Sequence, residues 1–411
     1  MQFYKRTKSK KTWSKHPISS FFCFLRDFII YLTPLKHIPA PIVNALFGFV
    51  PKFIFFVHPR RAEDTYIAYP FLGLIRRWFG RNVFLRTLDI LPPLVIGVVR
   101  TPLGVNGLIV TGSLLPDILL KDRKKALKHC LKGLFFSSKI AQSSAIFGLG
   151  ALWPMITRRG LALRQYSEPR NIVITNGHCG TLIGIYLSIR ELSKLSLIPF
   201  DRLKVAILGV GRMGTNLAHV LYGEILGLSL VDINEARLDK TIEELRKCPT
   251  ATNIRKHVNH TGSLEFSDIL KENHIAVCCT SNITRILKPE QIPDNTIIID
   301  DSRPEGIPRD LGKPNCVVTE GGLMKIKGIK QNYDFGFGID ENVFGCFAES
   351  FLLASDNYKG RILKPTLGAV DFDNFKKMIN VCDKFGVSLG DFKCRDKIIS
   401  REKLVSIMKG K

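Results

Sequence analysis

Lys204-Val205-Ala206-Ile207-Leu208 runs straight into Gly209-Val210-Gly211-Arg212-Met213-Gly214, and 18 residues past the last glycine an apolar run ends on Asp232. These types and spacings suit a pyrophosphate-linked dinucleotide. Gly209 allows the tight turn, Gly211 lets the backbone approach the phosphates, and Gly214 lets a helix pack closely on the strand. Arg212 and Met213 complete a loop that opens the helix, where N–H groups and the macrodipole favour negative charge. An acid at the position of Asp232 accepts hydrogen bonds from ribose hydroxyls and repels a 2′-phosphate. Ile233 follows it and no arginine comes before Arg237, so the cofactor is expected to be NAD(H) or NADP(H), with NAD(H) favoured. Thr280 and Ser281 end a further apolar run, at the rim where such folds bring the backbone near a nicotinamide. Asp300-Asp301-Ser302-Arg303-Pro304 ends the next run at the same rim. It reads either as a functional carboxylate pair or as a capped turn with a local ion pair.

A second candidate is Cys346, within Asn342-Val343-Phe344-Gly345-Cys346-Phe347-Ala348-Glu349-Ser350. A thiolate at a helix start has a lowered pKa and becomes a competent nucleophile; a cysteine in apolar company is also a common core residue. His178 reads as a general acid or oxyanion donor, or as a structural histidine at a helix start. His257 and His260 lie among Asn, Lys and Arg and read as a solvated loop, so no metal is expected. The ten cysteines contain no C-x-x-C, which excludes a zinc knuckle or a disulfide framework and points to a reducing cytoplasm.

The elements that must position these residues follow from periodicity. The hairpin Leu94–Arg100 with Val105–Thr111, a helix from Arg123 capped by Asp122, strands at Ala145–Gly150 and Asn171–Thr175 and a helix at Thr181–Lys194 build a first α/β unit. From Leu203 strands and helices alternate, as in a doubly wound parallel sheet of Rossmann type. The tail from Asn342 reads mostly as helix. The expected organisation is a basic, apolar extension over 1–57, an α/β substrate domain over 58–197, a Rossmann domain over 198–335, and a helical C-terminal segment over 336–411.

The 411 residues carry a formal net charge of +24, which attracts anionic partners. Residues 1–60 hold ten Lys or Arg and one acid, Asp27. The start lacks the compact apolar core and cleavage site of a signal peptide. The apolar runs Phe21–Leu32 and Ile42–Val57 are both interrupted, short of the roughly 20 apolar residues of a spanning helix. Residues 1–57 are expected either to lie at an anionic membrane surface or to pack on the body. No nucleic-acid module is recognisable.

Several segments, in order along the chain, resemble long-chain fatty acyl-[acyl carrier protein] reductases. Gly345-Cys346-Phe347-Ala348-Glu349-Ser350 with Leu352-Leu353 is similar to that family's C-terminal signature. Ser113-Leu114-Leu115-Pro116-Asp117, Gly148-Leu149-Gly150-Ala151 with Thr157, Thr175-Asn176-Gly177 through Thr181, and Glu320-Gly321-Gly322 resemble further family segments, covering roughly residues 90–385. The resemblance implies that Cys346 attacks an acyl thioester of acyl-carrier protein or acyl-CoA, and that hydride from the nicotinamide then releases an aldehyde. Gly177, Cys179 and Thr181 would then line the substrate or oxyanion position. Two departures stand out: His178-Cys179-Gly180-Thr181 replaces the family's N-S-x-T, and Asp232-Ile233 replaces its arginine after the second strand. Alternative readings are a dehydrogenase of a small amino or hydroxy acid, a thioester reductase like glutamyl-tRNA reductase, and a non-catalytic nucleotide sensor at a membrane surface.

Overall fold

The computed structural model describes residues 4–6, 17–248, 250, 252–259, 266–280, 286–302, 305–359 and 362–410. Two six-stranded sheets organise it. In the first, strand β1 (Phe53–Val57) lies at the centre, parallel to β3 (Gly107–Thr111) on one side and to β4 (Ile146–Leu149) on the other. The antiparallel strand β2 (Leu94–Arg100) pairs with β3 as the expected hairpin, β5 (Val173–Thr175) follows β4, and Lys330–Gln331 closes the far edge.

The sequence places Phe53–Val57 in the extension over 1–57; the strand is instead the middle of this sheet. All five of its residues are buried. A parallel strand covered on both faces shows no alternation, so its apolar run cannot be told from an interfacial one by period alone. Upstream of it, helices α1 (Pro17–Leu32) and α2 (Ala40–Phe47) pack on the same unit, as do α3 (Pro70–Ile90) and α4 (Arg123–Ile140). Asp122 caps α4 by accepting from the Lys125 N–H at 2.9 Å.

The second sheet is wholly parallel: β6 (Lys204–Leu208), β7 (Gly227–Asp232), β8 (Asn253–Val258), β9 (Ile275–Cys278), β10 (Thr296–Asp300) and β11 (Cys316–Glu320). Its spatial order is β8-β7-β6-β9-β10-β11, the 3-2-1-4-5-6 order of a Rossmann fold. The fold class is therefore α/β with a doubly wound parallel sheet. Strand β8 replaces the loop expected around His257; it is an edge strand with no buried residue, so its polar composition hides it. His260 lies outside the described residues.

Helix α5 (His178–Ser196) follows β5 and bridges the two units, packing on α6 (Arg212–Leu221) of the Rossmann sheet and on α7 (Gly345–Lys359). Helix α7 lies across β1 and β4, so the C-terminal segment completes the first unit rather than standing apart. Phe347 is fully buried, its ring 5.4 Å from Phe53 and 5.1 Å from Phe55. The tail is mostly helix, as expected, and also contains short strands between its helices, among them Val387–Leu389.

Candidate active site

The glycine-rich turn has the geometry its spacing demands. Gly209 has φ +96°, and a β-carbon on Gly214 would fall 2.0 Å from the Gly209 carbonyl oxygen, so helix α6 is seated on β6 as only glycine permits. Around Gly211, by contrast, a β-carbon would meet nothing within 4 Å. That leaves open space directly at the N-terminus of α6, where Arg212 and Met213 begin the helix. Asp232 ends β7 and is buried; its carboxylate accepts from the Val210 N–H at 2.8 Å and the Asn234 N–H at 2.9 Å. The acid thus holds the glycine loop in place. Arg237, which sequence spacing sets aside, swings back to 3.4 Å from Asp232.

Thr280 packs its methyl 2.6 Å from the position of a Gly209 β-carbon, and its N–H donates to the Ser302 hydroxyl at 3.2 Å. Ser281, Arg303 and Pro304 lie outside the described residues. Asp300 is fully buried and takes a 2.7 Å ion pair from Arg309, which also binds Glu320 at 2.9 Å. Of the two readings of 300–304, Asp300 fits the structural ion pair. The partner is Arg309, because β10 and β11 run side by side and bring Asp300 level with Glu320. Glu320 anchors the turn that leads to Gly321-Gly322.

Cys346 stands in the first turn of α7, half-buried. The N-termini of α5 and α7 meet there through glycines. A β-carbon on Gly177 (φ +73°) would fall 2.3 Å from the Cys346 Cβ, and one on Gly180 would fall 2.1 Å from the Gly345 carbonyl oxygen. Gly322 joins the same junction, its carbonyl accepting from the Gly345 N–H at 2.7 Å. Glu349, one turn beyond Cys346, locks the crossing. It is fully buried, accepts from the Gly180 N–H at 2.8 Å and the Thr366 N–H at 3.3 Å, and takes the Thr175 hydroxyl as well. Burial pushes its carboxyl pKa up, against the pull of these donors. Sequence reasoning gave Glu349 no role; the signal was a lone acid within the apolar run Phe347–Leu353.

His178, the residue after Gly177, opens α5 with its N–H bound to the Asn176 side chain at 3.0 Å. Burial lowers its imidazole pKa to about 4, helped by the positive charges of Arg159 and Arg212. Both arginines thus lie within electrostatic range of the ring. It is neutral near pH 7 and cannot act there as an imidazolium acid; its remaining capacity is that of a neutral N–H donor or a weak base. Arg159, also missed from sequence, has its Nε buried with no hydrogen-bond partner among the described residues.

The other proposed oxyanion residues divide. The Thr181 N–H and hydroxyl both donate to the Gly177 carbonyl at 3.1 Å, so Thr181 is spent on the helix. Cys179 is turned into the core, where burial pushes its thiol pKa well up, and its side chain offers nothing to a substrate. Gly177 remains, in contact with Cys346. The structure thus brings Cys346 against Gly177, next to His178 in the chain, and sets Arg159 and Arg212 near enough for their charge to act on the His178 ring.

No protein-family model matches the chain, and no curated protein matches it. Among solved structures, a dipicolinate synthase polypeptide from Bacillus halodurans is 13% identical over 45% of this chain and 60% of its own, with a TM-score of 0.30. Shikimate 5-dehydrogenase from Listeria monocytogenes, in complex with shikimate and NAD, is 10% identical over 79% of this chain and 94% of its own, at 0.34. The nucleotide-binding domain of glutamyl-tRNA reductase from Thermoplasma volcanium is 14% identical over 33% of this chain and 84% of its own, at 0.24. The chain thus spans 60% of the dipicolinate synthase polypeptide. At these TM-scores none of the three carries its activity over to this chain, and the acyl reductase resemblance rests on the motifs alone.

Proposed function

We propose that the chain is an NAD(P)H-dependent oxidoreductase that reduces a fatty acyl thioester, of acyl-carrier protein or acyl-CoA, to an aldehyde through an acyl-enzyme on Cys346. The observation that carries this reading is the placement of Cys346. It sits at a helix N-terminus, pressed on Gly177, the residue that precedes His178.

The dinucleotide site fits its ligand: the space at Gly211, the α6 N-terminus and Asp232 would hold pyrophosphate and ribose. Dinucleotide bound there supplies a hydride. The protein's own part begins with the Cys346 sulfur adding to the thioester carbonyl. The new C–S bond forms, the bond to the carrier sulfur breaks, and the carrier thiol leaves with the proton Cys346 gave up. His178 donates its neutral N–H to the carbonyl oxygen as negative charge develops there. The α7 N-terminus adds its dipole at the same point. Burial of Phe347 and the ring cluster behind Cys346 keeps water from that side of the thioester.

Replacing Cys346 by Ala tests the reading. Aldehyde formation from palmitoyl-CoA should fall to background while dinucleotide binding persists. Unchanged turnover of any small amino or hydroxy acid by the variant would favour the dehydrogenase alternative instead. Activity abolished by ribonuclease would favour a tRNA-dependent substrate.

A further inference from the structure

Helix α1 turns an apolar stripe to solvent. Its outward stripe is apolar: Ile18, Phe21, Phe22, Leu25, Ile29 and Leu32, at the three- and four-residue spacing of one helix face, are all exposed, Phe22 to 63%. Its inward side buries Ile30 together with the polar Ser20 and Asp27. A helix that only packs on a body turns its apolar stripe to the core, so this orientation needs a cause, and the structure holds it firmly. The Asp27 carboxylate accepts from the Val95 N–H of β2 at 2.7 Å and from the Tyr69 hydroxyl at 3.2 Å, and pairs with Arg26 at 2.7 Å. At the other end, Lys139 of α4 donates to the carbonyls of Tyr31 and Thr33, both at 2.7 Å. Rotating the apolar stripe inward would break both anchors and leave a buried charge unpaired.

A second exposed apolar feature adjoins it. Helix α3 breaks at Gly80 (φ +78°), and at the corner Trp78 is 70% and Phe79 62% exposed. The two helices touch through Phe71, whose ring lies 5.0 Å from Phe24 and 6.1 Å from Phe21. Exposed Arg77 and Arg81 flank the corner, exposed Arg86 lies further along α3, and exposed Lys36 follows α1. Aromatic corners framed by cations are the composition of a surface that enters the headgroup layer of an anionic bilayer. A second copy of the chain would bring the same cations into apposition, which the charge pattern opposes. Among the described residues no helix is long and apolar enough to cross a membrane, so the contact is with one face of the bilayer.

We infer that α1 and the Trp78–Phe79 corner form a docking surface for an anionic lipid bilayer. This surface stands independently of any acyl-enzyme on Cys346. The full-length protein is mixed with vesicles of phosphatidylcholine alone or of phosphatidylcholine with phosphatidylglycerol, and bound protein is measured by co-sedimentation. A Trp13→Phe background, with Trp153 buried, makes the emission shift on binding report Trp78. The protein should sediment with the phosphatidylglycerol vesicles, less so at high salt, with a blue shift of Trp78. The double variant Phe22→Glu/Ile29→Glu, which alters only exposed side chains, should lose at least about tenfold in bound fraction while keeping its dinucleotide affinity. No binding to anionic vesicles, or equal binding by the variant, would overturn the inference. So would a variant that merely converts a dimer to a monomer, which would identify the face as a contact between copies.

Discussion

Gly177 and Cys346 are packed so closely that a β-carbon on the glycine would fall 2.3 Å from that of the cysteine. The contact joins the ends of two helices that are far apart in sequence, one following β5 and the other in the C-terminal segment. The position of the candidate nucleophile is therefore set by a glycine junction rather than by its own helix alone. Gly180 and Gly345, each needed by the other's carbonyl, complete it.

The junction can be tested without touching Cys346. Gly180→Ala forces a methyl against the Gly345 carbonyl oxygen, an overpacking that costs about 1–3 kcal/mol. Thermal unfolding should show that loss. Acyl-enzyme formation should fall more than dinucleotide binding, because the displaced element is α7 and not the Rossmann sheet. A variant with wild-type stability and full acylation would show that the crossing is looser than described.

Protonation of His178 gives the site a pH signature. Its folded pKa of about 4 lies below its ordinary 6.5, so the native state disfavours the charged ring. The stability that neutral His178 preserves is present above pH 6.5 and is lost as pH falls from there towards 4. His58 and His129, also lowered to about 4 by burial, act in the same direction. Melting temperature should therefore drop across this window, and His178→Gln should flatten part of the slope. A His178→Gln protein with an unaltered slope would remove His178 from this account.

Cofactor choice turns on Asp232 and Arg237, which face each other at 3.4 Å. Asp232→Asn keeps an acceptor for the Val210 N–H but removes the charge that repels a 2′-phosphate, leaving Arg237 free of its ion pair. Wild-type protein should bind NADH more tightly than NADPH, and the variant should narrow that gap by about tenfold, or 1.4 kcal/mol. Titration by nicotinamide fluorescence reads both affinities. A wild-type preference for NADPH would assign Arg237, and not Asp232, the deciding role.

The dinucleotide half of the fold was legible because its signals are local. The strand, three glycines and an acid fall within some thirty residues, and Gly209 and Gly214 each have a steric reason that survives in the structure. Strand β1 was not legible, since a central parallel strand shows only an apolar run. Strand β8 was missed for the opposite reason, being wholly unburied and largely polar. Within the site, Cys346 and His178 could be singled out as residue types, whereas the packing of Cys346 on Gly177, the neighbour of His178, depends on a contact between segments far apart in sequence. Arg159 had no local pattern at all, being placed by a loop; Glu349 showed only as a lone acid in an apolar run, and its part comes from three hydrogen bonds to different segments.

The central claim is that Cys346 becomes acylated. The most direct measurement is mass spectrometry of the full-length protein after incubation with palmitoyl-CoA and no dinucleotide. The account predicts a mass increment of one palmitoyl group, located on the peptide carrying Cys346, absent from Cys346→Ala and discharged as aldehyde on adding NADH or NADPH. An unmodified Cys346 in a protein that still turns over a substrate with NAD(P)H would contradict it.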